Sequence, residues 1–73
     1  MKLGVFSKDE NQTVFVVTQW YGDVPDVNDA IRVKRNIGVP EGAEPDTISG
    51  RVVGKTFTIN EDGTQSVGLD IKK

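Results

Sequence analysis

The apolar positions of the chain fall into short runs, and the longest is Thr13–Tyr21, T-V-F-V-V-T-Q-W-Y. It is built almost wholly of β-branched and aromatic residues, which lose rotamer freedom in a helix but fit a pleated surface. The run therefore predicts a strand. Alternation puts Val14, Val16, Thr18 and Trp20 on one face and Phe15, Val17, Gln19 and Tyr21 on the other. Both faces carry large apolar groups, so the pattern predicts a strand covered on both sides.

Lys2–Ser7 reads as the strand before it, with Asp9, Glu10 and Asn11 as a three-residue loop and Asn11 left-handed. The ladder then runs Lys8–Gln12, Phe6–Val14, Val5–Phe15, Gly4–Val16 and Leu3–Val17. A slip of one residue would exchange the two faces. Arg51–Ile71 predicts a second hairpin, closed by the type I turn N-E-D-G at Asn60–Gly63 with a left-handed glycine. Its partners are Ile59–Gln65, Phe57–Val67, Lys55–Leu69 and Val53–Ile71 on an apolar face. Thr58–Ser66, Thr56–Gly68, Gly54–Asp70 and Val52–Lys72 form a small, polar one.

Between the hairpins the pattern changes. Over residues 26–37, Val27, Ala30, Ile31, Val33 and Ile37 share an arc of about 160° on a helical wheel. Acids lie early and bases late, as the helix dipole favours, and Gly38 stands where a C-terminal cap belongs. A short helix is the expectation. The competing reading is a strand over Ile31–Arg35 with Ile31 and Val33 inward. Val39–Gly50, rich in proline, glycine and acid, predicts a loop twelve residues long. It reads as a solvated connector or as a partner-binding loop.

Residues 1–73 thus predict one small β-rich domain of α+β class: two antiparallel β-hairpins joined through one short helix, as a four-stranded sheet or a partly closed small barrel. A core this small gives only ~3–5 kcal/mol, and domains of this size often add disulfides, a metal or a partner. The chain has no cysteine and no histidine, so self-association is the staple its composition leaves open. No cofactor or metal is expected. The net charge of −2 gives no general attraction to nucleic acid. No apolar run approaches a membrane span, and M-K-L-G-V-F-S-K-D-E turns charged too soon for a secretory signal. A cytoplasmic protein is expected.

Chemistry is sparse. Without histidine or cysteine the commonest general base and the strongest common nucleophile are missing, so the chain reads as no enzyme. The acids cluster where turns need them. G-R-V-V-G-K-T at Gly50–Thr56 ends like a phosphate loop, but it is one residue short and runs into a strand. The sequence points to a protein-interaction module: an accessory subunit, inhibitor or small structural protein that forms a homo-oligomer. Trp20 and Tyr21, with Glu41, Glu44 and Asp46 of the acidic loop, are its candidate contact residues. As neighbours on a strand, one aromatic belongs in the core and the other at a surface.

The alternative is a dimeric nucleic-acid-binding regulator using Arg32, Lys34 and Arg35. The order strand–strand–helix–strand–strand, with the run I-R…I-G-V-P-E-G at Ile31–Gly42, resembles in topology the swapped-hairpin AbrB-like regulators. That resemblance implies two interlocked chains presenting basic residues to DNA.

Overall fold

The computed structural model describes residues 1–35, 41–43 and 46–73. They form five strands: β1 (Lys2–Ser7), β2 (Gln12–Val17), β3 (Ala30–Arg35), β4 (Asp46–Ile59) and β5 (Gln65–Lys72). These make a single sheet in the order β2-β1-β5-β4-β3, with β1 parallel to β5 and all other neighbours antiparallel. The sheet curls into a half-barrel, and its concave side holds the core. Leu3, Val5, Val14, Val33, Ile48, Val52, Val67, Leu69 and Ile71 are buried there, with Phe15, Val17, Trp20, Val24 and Ile31 packed around them.

Both hairpins rest on local turn chemistry. Asn11 takes a positive φ of 53° and closes the first. The Ser7 hydroxyl accepts a hydrogen bond from the Glu10 amide inside that turn. In the second, the Asn60 amide donates to the Thr64 carbonyl and the Gly63 amide to the Asn60 carbonyl, with Gly63 at a φ of 86°. The Thr64 hydroxyl and amide both donate to the Asp62 carboxylate, and hold its pKa below the ordinary value.

Two bulges interrupt the ladders. In β2, Val5 faces Phe15 but Phe6 faces Thr13, so Val14 is the extra residue. In β4, Val52 faces Ile71 and Gly54 faces Asp70, so Val53 is extra. A bulge shifts the phase of a strand and bends it. Val14 joins Phe15 and Val17 against the core instead of sharing a face with Val16, which is exposed. The expectation of a strand covered on both sides is corrected accordingly. In β4 the shift buries Val52 completely and leaves Val53 42% exposed, the reverse of the expected order.

The class itself is corrected from α+β to all-β, and from four strands to five. No helix occurs among the described residues. The helical arc required Val27 and Ala30 inside, yet both are exposed, and Asn28 takes a φ of 80° that no helix tolerates. What decides the segment is β4, whose first half presents an unpaired edge. Ala30–Arg35 pairs along it from Arg51 to Asp46, with Val33 buried and Arg32 and Lys34 outward. The expected loop is shortened for the same reason, because Asp46–Gly50 belongs to β4 and Ile48 is buried. Residues 36–40, 44 and 45 of the expected helix end and loop lie outside the described residues. With β3 in place of a helix, the topology of the swapped-hairpin regulators is absent.

The left-handed glycine gives a direct test. Gly63→Val forces a β-branched side chain to positive φ, at a cost of about 1–2 kcal/mol. A clearly lowered melting temperature is the expected result. An unchanged one would show that the turn does not set this hairpin.

Candidate interaction surface

The curl brings the outer edges of β2 and β3 toward each other. Arg35 on β3 reaches across to the Val14 carbonyl of β2, Nη1 to O at 3.2 Å. The other terminal nitrogen of the same guanidinium pairs with the Asp46 carboxylate. Arg35 therefore ties three strands: its own, β2 and the start of β4. Further along the seam the two edges stay apart, leaving an apolar groove of about 360 Å³ lined by Leu3, Phe15, Trp20, Pro25, Ile31 and Leu69.

Trp20 is half-buried at this groove, with its amide donating to the Met1 carbonyl and its indole Nε1 to the Asp23 carbonyl. Tyr21 turns away and is 81% exposed, its hydroxyl donating to the Gln19 side-chain oxygen. One aromatic is packed and its neighbour is in solvent. Glu41 is exposed in a turn, Asp46 is exposed and paired with Arg35, and Glu44 lies outside the described residues. The aromatic pair and Asp46 do not meet. Trp20 is tied to Met1 at the start of β1, whereas Asp46 shares a recess with Ser7, Asp9 and Glu10 at its end. Of the basic trio, Arg32 and Lys34 are exposed on the outer face of β3, and Arg35 is committed to the seam.

A second surface was not anticipated. β4 is fourteen residues long, but β3 pairs only with Asp46–Arg51. The chain before β3 continues the pairing by one residue, with the Val52 amide donating to Asp29 O and its carbonyl accepting from the Asn28 amide. Lys55 is then held by the Asp26 carboxylate at 2.6 Å. Beyond that point, no strand pairs with the outer edge of Lys55–Ile59 among the described residues. This bare edge carries Phe57 at 58% and Ile59 at 78% exposure. The Lys55 ammonium stands 5.3 Å from the Phe57 ring centroid, within cation–π range.

Sequence reasoning placed Phe57 and Ile59 on the sheltered face of a ribbon. They do share that face with Val67 and Gln65, but the core ends before it reaches them. The adjacent apolar pair Val52-Val53, which breaks strict alternation, was the available signal for the bulge that ends the covered part of β4.

No helix among the described residues is long and apolar enough to cross a membrane. Comparison with protein-family models, curated proteins and solved structures finds no match for this chain.

The seam yields a prediction. Arg35→Met keeps the length of the side chain and removes both interactions, for an expected loss of about 1–2 kcal/mol in chemical unfolding. Asp46→Asn breaks only the ion pair and should lose less than about 1 kcal/mol. The Arg35 deficit should persist at high salt, because the Val14 carbonyl is not an ion. Equal losses for the two variants would show that the bond across the seam contributes nothing.

Proposed function

We propose that this chain is a non-enzymatic, cytoplasmic protein-interaction module that works as an accessory subunit, inhibitor or small structural protein. The observation that carries the proposal is the bare outer edge of Lys55–Ile59 with Phe57 and Ile59 in solvent. Open sheet edges are templates for another strand, and soluble proteins ordinarily blunt them with charge, proline or a covering loop. Here the covering loop stops at Lys55, and the two positions beyond it on the concave face are large and apolar. Strand addition at such an edge combines main-chain hydrogen bonds with alternate side-chain contacts. Thr18 and Gln19 share a recess with Asn60 and Thr64, which sets Tyr21 at the same end of the sheet as Ile59. An exposed aromatic there extends the same contact surface.

A nucleic-acid role for Arg32, Lys34 and Arg35 has weaker support, since Arg35 is engaged at the seam and only two exposed bases remain. The two readings separate on salt. Phosphate contacts weaken steeply as salt rises, and an apolar edge does not.

Capture from an extract of the native host tests the proposal, with wild type and Ile59→Lys side by side. Ile59 is mostly in solvent, so the variant should keep its fold by circular dichroism. Proteins retained by wild type at high salt and lost from Ile59→Lys are expected. Identical sets on both baits, or only nucleic acid released by salt, would overturn it.

A further inference from the structure

The outer edge of β4 is self-complementary. From Lys55 to Glu61 the chain reads K-T-F-T-I-N-E. Folded back on itself about Thr58, it sets Thr56 against Asn60 and Phe57 against Ile59, with Glu61, in the turn beyond β4, toward the side of Lys55. Polar meets polar, and apolar meets apolar. The backbone parity agrees. The bonds from Asn60 N to Thr64 O and from Gly63 N to Asn60 O direct the peptide groups of Asn60 toward β5. By the alternation of an antiparallel ladder, those of Thr58 and Thr56 also face β5, and those of Ile59, Phe57 and Lys55 face outward.

We propose that a second copy of this chain pairs antiparallel with the Lys55–Ile59 edge about a two-fold axis at Thr58, which makes one continuous sheet of two half-barrels. The inference rests on the reading of this edge as the contact surface, and it names the occupant. Phe57 of each copy exchanges main-chain hydrogen bonds with Ile59 of the other. Their side chains lie side by side on the concave face, two apolar pairs in all. Thr58 meets its own counterpart as the non-hydrogen-bonded pair on the axis. Lys55, already paired with Asp26, lies on the side where the turn of the second copy carries Glu61. This is the isologous, closed arrangement expected of a homodimer. The edge is short, so the contact falls below the standard interface size and the dimer is weak and concentration-dependent. The alternative register, Phe57 on Phe57, sets Lys55 against Ile59 and wastes both.

The absence of cysteine makes the register measurable. Opposed residues of a non-hydrogen-bonded pair have Cα atoms about 4.5 Å apart, within the range a disulfide spans. Thr58 is exposed, so Thr58→Cys leaves the core untouched. Sedimentation equilibrium of the wild type is expected to show a dimer that dissociates on dilution, and Ile59→Lys is expected to remain monomeric. Under mild oxidation, Thr58→Cys should form a reducible covalent dimer at least tenfold faster than Lys8→Cys, an exposed control at the far end of β1. A wild type that stays monomeric at the highest concentration overturns the pairing, while loss of captured proteins from Ile59→Lys would leave the contact-surface reading standing. A wild-type dimer in which Thr58→Cys links no faster than Lys8→Cys places the self-contact on another surface and overturns the proposal. Fast linkage of Phe57→Cys with slow linkage of Thr58→Cys overturns this register.

Discussion

The constraint on which this structure depends is that a single sheet must supply both walls of its own core. With no helix among the described residues, a flat five-stranded sheet would leave one apolar face in water. The sheet has to curl, and curling needs local breaks in the ladder. The bulges at Val14 and Val53 are those breaks. Each changes which side of its strand faces inward. Together they bring Val14 and Val52 from strands on opposite sides of the sheet onto one concave surface, where both are buried. Val52 also shows how the polar groups are satisfied at such a break. Its side chain is wholly buried, and its amide and carbonyl are taken by Asp29 and Asn28.

Curling has a second consequence at the seam. Where β3 approaches β2, Arg35 donates to the Val14 carbonyl. A guanidinium suits this place because it donates in two directions at once, to the carbonyl and to Asp46. Among the described residues the seam is closed at that point. Beyond it the groove beside Trp20 records the distance that the curl does not cover. The chain is short, and what it spends on closing one end is missing at the other, where β4 runs past the core with Phe57 and Ile59 uncovered.

How much of this the sequence carries depends on how local the cause is. The hairpins are legible because Asn11 and Gly63 fix their turns with their own backbone angles. In the first hairpin the ladder from Leu3–Val17 to Val5–Phe15 follows directly, and in the second that from Ile59–Gln65 to Gly54–Asp70. Residues 26–37 are ambiguous because Ile31 and Val33 satisfy a helical arc and a strand alternation equally. The unpaired edge of β4 decides, and that edge is made by residues far along the chain. The bulges are harder still, since each is a property of a pair of strands rather than of one. Among candidate site residues, Trp20 and Tyr21 do take opposite fates, but β2 ends at Val17, so alternation along a strand is not the cause. The separation of Trp20 from Asp46 depends on which end of the curled sheet each segment reaches.

An exposed edge strand is ordinarily a hazard, and this one has few of the usual protections. Lys55 is the only charge on Lys55–Ile59, and Asp26 already neutralises it. Thr56 and Thr58 keep the opposite face polar, so a strand added here would bury apolar groups on one side only. That asymmetry limits growth. At the far side of the sheet, β2 has its Val14 carbonyl occupied by Arg35. The same guanidinium that closes the seam thus blunts the other edge. A two-fold pairing about Thr58 uses the same Lys55–Ile59 segment of both copies, which favours a closed pair over an open-ended fibre.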